Sequence, residues 1–533
     1  MVSSLCRQIF IHQPNRIFVR MLVISESHIR LFHFDRSGVQ YTLLLNFHDE
    51  PQTFVRLVLV LGSSDEFDIG LDASIQWTIE GGQKVGGTIR TRGTGNQDVI
   101  YPLAQIGPFF FRGNIRGRST ICWRVRDPTT NEQLLVKDMW RSEDRLSEHT
   151  FLQDAIGLPG VVQMVNCEPD RCETKTLRGF GDALPAKFQN RIESRIVMKT
   201  YGKPVAKYTS AKQLFCALRD AIAGHMELFK GGTLHRDVSP YNVLFGKPGA
   251  EPGYRGILID FDIATRRNWN KPADWKIGTR LYQSVAVLNS CTVPDPLPHD
   301  HLDDLESFLY ILVQVIYTCD SNGVAYSGLD MLSRWEKVSH DCRTAATFKE
   351  AYLASEFLPR DVEQHWPSPC VDLVLAFTAF IHPIMRKKMK LVDQLTPTVR
   401  NGRAKEFSAD ANKHYTHVLQ LFDTAIEALD KPDTWRVPKS GVPSPDPPSS
   451  GSTSSDSSLE NFLKEYQRMR EADASPSPTV DQPTSSISEH SRSALKRTSD
   501  GYPDDQPPAK RSNSPGSSES GRKSSTTAPS HAA

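Results

Sequence analysis

The sequence lacks a large net charge, a dense pattern of cysteines and long apolar runs. Its 533 residues contain 63 Lys and Arg against 62 Asp and Glu, a formal charge of +1, which argues against a polybasic or a wholly acidic chain. The nine cysteines are scattered from Cys6 to Cys370, so we expect reduced thiols rather than a disulfide scaffold. The N-terminus has no signal-peptide core, and runs such as LVLVLG are far shorter than the roughly 20 residues that span a bilayer. A soluble protein of the cytoplasm or nucleus is therefore expected.

The apolar share of only 38% reflects a C-terminal region rich in Ser and Pro. Stretches such as SGVPSPDPPSSGSTSSDSS keep few apolar side chains to offset the entropy of ordering, which predicts a disordered tail over 437–533. Within the tail, LENFLKEYQRMREA has one apolar helical face, typical of a transient helix or of a partner-binding one. The basic pairs at 496–497 and 510–511 have a bipartite spacing that favours a nuclear import receptor as partner, but paired basic residues are also common in such tails.

Hydrophobic patterning divides the rest of the chain into three parts. Residues 1–100 contain β-branched and aromatic runs such as RIFVRMLVI and HIRLFHF, which predict a β-rich segment. Over 101–199, further strand-like runs surround one helical stretch, SEDRLSEHTFLQDA. Over 200–436 the apolar residues recur at helical spacing, as in AKQLFCALRDAIAGHMELF and DDLESFLYILVQVIY. A small β-rich part followed by a larger helical part is thus predicted.

The strongest motif is LHRDVSPYNVLF, which the apolar segment GILIDFDIA follows. Phosphoryl transfer explains its spacing, because one carboxylate, Asp237, must orient the attacking hydroxyl and accept its proton. The carboxamide of Asn242 and the carboxylate of Asp260 would then hold a divalent metal against the triphosphate. His-Arg-Asp alone is weak evidence, but with the fitting Asn and a hairpin ending in DFD it indicates a kinase site.

These motifs resemble the protein-kinase-like fold and, more narrowly, the fungal-type protein kinase family. The narrower resemblance depends on HRDVSPYNVLF, on DFD where most protein kinases have DFG, on VKDMW followed by R…E, and on HDHLDDLESFLYILV. The segments DDLESFLYIL and IGTRLYQSV are also similar to casein kinases. The resemblance covers about residues 20–420. It implies an α+β, bilobal fold with a β-rich N-terminal extension (1–100), a small β-rich lobe (101–199), a large helical lobe (200–436) and the disordered tail (437–533).

The resemblance also implies a nucleotide anchor. Lys137 is similar to the small-lobe lysine that contacts the α- and β-phosphates, and Glu148 is expected to fix it, with Glu143 as the alternative. The phosphate-covering loop corresponds to FFFRGNIRGRSTICWRV, which keeps Gly113 and Gly117 but lacks the third glycine. ATP and Mg²⁺ are the implied cofactors.

Neighbouring residues are expected to support this site. Asp304 in DDLES should brace the catalytic loop by accepting backbone hydrogen bonds. Arg236 is a candidate to pair with a phosphorylated residue of the activation segment, and the candidate residues there are Thr265, Thr279 and Tyr282. Asp262 replaces the usual glycine of DFG, which restricts positive φ at that position.

Two charged stretches allow alternative interpretations. HDHLDD could bind a metal or only begin a helix. RRNWNKPADWK, with Arg266, Arg267, Lys271 and Lys276, either favours acidic or phosphorylated substrates or is a solvated basic loop.

We therefore predict an ATP- and Mg²⁺-dependent kinase that phosphorylates Ser or Thr of proteins. One alternative is a pseudokinase that binds partners as a regulatory scaffold, which the degraded glycine loop favours. Another is a small-molecule kinase, suggested by Asp262 and by the lack of an APE triplet. No membrane and no direct nucleic-acid partner is indicated.

Overall fold

The computed structural model describes most of the chain up to residue 431. The residues outside the description within that range are 94–96, 182, 269–271, 327–334, 336–340, 356–357, 359, 395–401 and 403–404, together with residue 1. All described residues belong to one compact unit. The predicted tail over 437–533, its apolar helix and its basic pairs lie outside the described residues.

The N-terminal part contains two small antiparallel sheets and two helices. Strand β2 pairs with three others in the first sheet, and the second sheet is a meander. The elements are α1 (Val2–His12), β1 (Val19–Ile24), β2 (His28–Asp35), β3 (Gly38–Tyr41), β4 (Leu45–Asn46), α2 (Pro51–Leu61), β5 (Ile75–Glu80), β6 (Gln83–Arg92) and β7 (Asp98–Pro102). The predicted strands are present, but the two helices were not predicted. In α2 the many valines favour a strand, whereas Pro51 in the first turn favours a helix start.

A five-stranded antiparallel sheet follows, with the order β11-β12-β10-β9-β8. Its strands are β8 (Phe110–Phe111), β9 (Ile121–Arg126), β10 (Gln133–Ser142), β11 (Met164–Glu168) and β12 (Arg191–Lys199), and the helices among them are α3 (Glu148–Asp154) and α4 (Thr174–Leu177). Helix α3 begins later than the predicted stretch, since β10 extends to Ser142 and a turn over residues 143–147 precedes the helix.

One apolar core joins the N-terminal meander to this sheet. Ile75, Ile89 and Tyr101 pack with Trp123 and Val136, and all five are at least 97% buried. The core therefore crosses residue 100, where the sequence pattern suggested a boundary.

Helices dominate the remainder of the described chain. They are α5 (Ala211–Lys230), α6 (Val285–Asn289), α7 (His301–Thr318), α8 (Cys342–Leu353), α9 (Arg360–His365), α10 (Ser368–Gln394) and α11 (Ala411–Leu429). Two small hairpins accompany them, in which β13 (Thr233–Leu234) pairs with β16 (Thr265–Arg266) and β14 (Val243–Phe245) pairs with β15 (Gly256–Leu258). The predicted helices α5 and α7 supply the centre of the core through side chains such as Leu218 and Phe308. The mixed α+β class is confirmed, and all nine cysteines are free thiols.

Helix α10 is long and apolar enough to cross a membrane by length and composition, over Ser368–Leu391. Polar residues interrupt its apolar pattern, so it contains no long uninterrupted apolar run. Half of its most apolar window is buried inside the protein, and Val374, Phe377 and Ile381 belong to the core. A core helix satisfies the same length and composition criteria.

Candidate active site

A buried carboxylate holds the loop that carries the His-Arg-Asp motif. Asp304, in the first turn of α7, accepts hydrogen bonds from the backbone N–H groups of His235 and Arg236, each at 3.0 Å. The rings of His225 and His299 lie 2.9 and 3.0 Å from the same carboxylate. Burial opposes ionisation, but these two histidines hold the pKa of Asp304 well below its usual range. The predicted bracing role of Asp304 is confirmed.

The HDHLDD segment forms the start of α7. Asp300 caps the helix by accepting a hydrogen bond from the Leu302 N–H at 2.9 Å, and Asp303 bonds back to the Asp300 N–H. Among the residues that the structure describes, no cluster of three or more His, Cys, Asp or Glu is placed to hold a metal. These contacts favour the helix-start interpretation over the metal-binding one.

A hydrogen bond joins the predicted base, Asp237, to the predicted metal ligand Asn242, and a second one joins Asn242 to the residue before Asp260. The Asn242 side chain donates to the Asp237 carbonyl at 2.8 Å, and the Ile259 N–H, next to Asp260, donates to the Asn242 carbonyl at 2.9 Å. Asp237 Oδ1 accepts hydrogen bonds from the backbone N–H (2.9 Å) and the hydroxyl (2.6 Å) of Thr279. The structure thus brings Asp237, Asn242 and Asp260 together, and it adds Thr279 as a direct contact of Asp237.

Lys137, on β10, is contacted by two carboxylates, the buried Glu148 and the partly buried Asp260. Its ammonium lies 2.7 Å from Glu148 Oε2 and 2.6 Å from Asp260 Oδ1, and Glu148 Oε1 accepts a hydrogen bond from the Phe261 N–H at 3.0 Å. Burial opposes the charge, but Asp260 and Glu148 outweigh it and raise the pKa of Lys137. The alternative partner, Glu143, is exposed and lies 3.7 Å from Lys175 instead.

The DFD segment has positive φ at its first aspartate. Asp260 adopts φ +69°, whereas Asp262 does not adopt a positive φ. The replacement of glycine by Asp262 therefore causes no backbone strain at position 262. The Asp262 carboxylate forms an ion pair with Arg118 of the loop between β8 and β9. The sequence did not predict this link between the glycine loop and the DFD segment, because the two residues are 144 positions apart.

The two loop glycines have different surroundings. Gly117 adopts φ +129°, and a Cβ there would meet nothing within 4 Å. Gly113 lies against α1, since a Cβ would come 3.2 Å from Ile11 and its carbonyl accepts a hydrogen bond from Arg7 at 3.1 Å. Close packing against the N-terminal helix therefore explains Gly113 in this structure.

The candidate regulatory residues make other contacts. Arg236 donates to the Ile263 carbonyl, with its Nε at 2.9 Å. Tyr282 is only 2% exposed and donates to the side chain of Gln314. Thr265 is half-buried on β16. Phosphorylation of Tyr282 would require this segment to move.

The predicted metal ligands offer suitable atoms. Asn242 is 1% exposed, and its side-chain oxygen is buried without a hydrogen-bond partner in the described part of the chain. A carboxylate and an amide oxygen are hard donors, and Mg²⁺ typically takes one or two such ligands and completes its shell with phosphate oxygens and water. Asn242 and Asp260 therefore fit a magnesium–nucleotide complex.

Comparison with known families agrees with this geometry. The family described as fungal protein kinase matches residues 1–175 and 167–316, which is more than half of the 533 residues. No curated protein matches the chain. The family match begins at residue 1, so it includes the N-terminal sheets as well as the site. The chain belongs to the fungal protein kinase family.

Proposed function

We propose that this protein is a protein kinase that transfers the γ-phosphoryl group of ATP to Ser or Thr of protein substrates. The observation that carries the proposal is the buried contact of one ammonium, Lys137, with both Glu148 and Asp260, beside the linked pair Asp237 and Asn242. We further propose that residues 101–199 and 200–436 act as the two lobes of the kinase, with residues 1–100 as an extension.

In this proposal each residue has one task. Asp237 orients the acceptor hydroxyl and accepts its proton, while the hydroxyl oxygen bonds to the γ-phosphorus and the bond to the β-phosphate oxygen breaks. Lys137, held by Glu148, neutralises the α- and β-phosphate oxygens. Asn242 and Asp260 hold Mg²⁺, which when bound neutralises charge on the phosphate oxygens. Catalysis then comes from positioning and electrostatics rather than from a covalent intermediate.

The test is a phosphate-transfer assay with labelled ATP, wild type beside Asp237→Ala, with mass-spectrometric mapping of the phosphorylated sites on peptides and on the chain itself. We expect Mg²⁺-dependent labelling of Ser or Thr by the wild type and a loss of at least about 10³-fold in the variant. Equal labelling by the two proteins would overturn the assignment of Asp237. A phosphorylated small molecule without any peptide product would favour the small-molecule kinase.

A regulatory scaffold without efficient transfer is the second candidate. It is favoured by the hydrogen bonds of Thr279 to Asp237 Oδ1 and by the Arg118–Asp262 ion pair that ties the glycine loop to the DFD segment. Thermal stabilisation by ATP that needs no Mg²⁺ and comes with no turnover would support this candidate over the kinase.

A further inference from the structure

A cavity of about 440 Å³ opens beside the predicted base. Asp237, Thr279 and Asp262 line it, whereas the anchors Lys137 and Asn242 are not part of its lining. The cavity therefore adjoins the carboxylate that would face an acceptor hydroxyl. Of the residues expected to hold the nucleotide, it shares Gly117 of the phosphate-covering loop but not Lys137, Asn242 or Asp260.

The lining of this cavity is strongly cationic. Seven Lys and Arg side chains face three carboxylates, a surplus of four positive charges. Six of the seven are arginines: Arg112, Arg116, Arg118, Arg141, Arg145 and Arg191. Arginine presents a planar fork of N–H donors that matches carboxylate and phosphate oxygens. The lining thus has both the charge and the donor geometry for an anion.

Part of this charge has no paired carboxylate among the residues that the structure describes. Arg118 pairs with Asp262 and Arg141 with Asp170, but Arg145 and Arg191 form no ion pair with any described residue. The Nε of Arg191 is buried without a hydrogen-bond partner in the described part of the chain. Burial and then the neighbouring guanidinium groups of Arg116, Arg145 and Arg118 lower the pKa of Arg191, and Asp144 offsets only part of this shift. These cations repel one another, and an anion would relieve the repulsion.

The basic stretch at 266–276 contributes little to this surface. Arg266 pairs with Asp154, and the Arg267 guanidinium lies 4.9 Å from the centre of the Phe229 ring. Lys271 lies outside the described residues, and only Lys276 lines the cavity. Most of the cationic side chains instead come from the glycine loop, the end of β10 and the start of β12, which are far apart in sequence.

We propose that this cavity binds an acidic or phosphorylated residue that flanks the acceptor hydroxyl of a peptide substrate. The proposal rests on the proposed function, since it places the flanking residue next to Asp237. A peptide fits better than a nucleic acid, because the described lining contains no aromatic side chain on which bases could stack.

Binding is tested first, on the full chain without ATP. Three labelled peptides that differ only beside the acceptor serine, with a phosphoserine, with Asp and Glu, or with neutral residues, are titrated by fluorescence anisotropy, together with a single-stranded oligonucleotide. We expect the phosphoserine peptide to bind at least about tenfold more tightly than the neutral one. Equal dissociation constants for the three peptides, or tighter binding of the oligonucleotide, would overturn the proposal.

Variants assign the binding to the cavity. Arg116 and Arg145 are exposed, so the double variant Arg116→Gln/Arg145→Gln should fold, and we expect it to lose most of the preference for the phosphoserine peptide. Arg90→Gln is the matched control, since Arg90 is a 54% exposed arginine paired with Asp98 outside the cavity, and it should keep the preference. An undiminished preference in the double variant would contradict the assignment.

Two further measurements distinguish this proposal from the proposed kinase function and from occupation of the cavity by a phosphate of the chain itself. If kcat/KM shows no preference for acidic flanks although phosphate is transferred, the cavity proposal fails and the proposed function stands. If charge-selective binding occurs without any transfer, the proposed function fails, and only the binding of an acidic or phosphorylated peptide by the cavity stands. Titration after phosphatase treatment distinguishes the phosphate source, because tighter peptide binding after treatment would mean that the chain's own phosphate occupies the cavity. Unchanged binding supports a substrate peptide.

Discussion

Two buried ionic clusters lie on opposite faces of β10, because successive side chains of a strand point to opposite sides. Lys137 contacts Glu148 and Asp260 on one face. Its neighbour Asp138 contacts Arg195 at 2.6 Å on the other, and Arg195 reaches Asp72 of the N-terminal part at 2.9 Å. We call the first the site cluster and the second the anchor cluster, which also includes Arg171 and Glu193.

The two clusters differ in how completely their polar atoms are satisfied. Arg195 is fully buried, and its five N–H donors have five acceptors, on Asp138, Asp72, Ser74 and the Arg90 carbonyl. In the site cluster and its surroundings, one oxygen each of Asn242 and Asp262 is buried without a hydrogen-bond partner in the described part of the chain. Buried polar groups are normally paired. The anchor cluster is therefore complete in itself, whereas the surroundings of the site cluster keep polar atoms that the proposed nucleotide complex could use.

The largest expected effect is a loss of phosphate transfer, with little loss of stability, when a residue of the site cluster is replaced. Asp260→Ala should lower phosphate transfer by at least about 10³-fold, because a metal ligand is lost. The free energy of unfolding should change by no more than about 1 kcal/mol, since Lys137 keeps Glu148 as its partner. Paired measurements of labelled-ATP transfer and urea unfolding check this, and wild-type transfer by the variant would refute the metal assignment.

The next effect is on stability, in the anchor cluster. Arg195→Met should lower the free energy of unfolding by about 3–5 kcal/mol, because it leaves the buried carboxylates of Asp138 and Asp72 without their shared cation. Urea unfolding measures the loss. Arg90→Gln, which removes an exposed arginine of the neighbouring meander, is the control and should stay within about 0.5 kcal/mol of wild type. A loss of similar size in both variants would contradict the special role of the anchor cluster.

A smaller effect tests which glutamate serves the site. Glu148→Gln should lower kcat/KM by about 10–100-fold, because it removes one of the two charges that position Lys137. Glu143→Gln should have no effect, since the exposed Glu143 lies near Lys175. Steady-state kinetics of the two variants side by side decides between them, and a larger loss for Glu143→Gln would reverse the assignment.

The smallest effect is a pH dependence in the anchor cluster. Burial raises the pKa of Glu193 to about 7, although Arg171 opposes the shift. The folded protein then binds more protons than the unfolded one between about pH 4.5 and 7, so this contribution to stability is full below that window and is lost as the pH rises through it. Between pH 5 and pH 7, we expect the free energy of unfolding to fall by about 1–2 kcal/mol less in Glu193→Gln than in the wild type. Urea unfolding at pH 5 and pH 7 measures this difference. An equal change in the free energy of unfolding between the two pH values in wild type and variant would exclude the effect.

The contrast between the clusters also shows what the sequence could predict. Asp237, Asn242 and Asp260 are predictable because phosphoryl transfer requires fixed residue types at short spacings. Lys137 and its partner Glu148, with Glu143 as the alternative, are predicted from the resemblance to the kinase family, and the structure places Glu148 in contact with Lys137. Their roles stay predictions until they are measured.

Contacts between segments that are distant in sequence could not be predicted in this way. The anchor cluster joins Asp72, Asp138 and Arg195, the Arg118–Asp262 pair spans 144 positions, and the cationic cavity collects arginines from several elements. None of these groups forms a motif, because only the folded chain brings its members together. The helix α2 was missed for a local reason, since its valines fit a strand as well.

The central claim, that the site cluster is completed by a magnesium–nucleotide complex, is tested most directly by thermal unfolding with a non-hydrolysable ATP analogue. The wild type should gain several degrees in Tm with analogue and Mg²⁺ together and little with either alone. Asp260→Asn should lose this gain while Arg90→Gln keeps it. The same gain without Mg²⁺, or an undiminished gain in Asp260→Asn, would contradict the account.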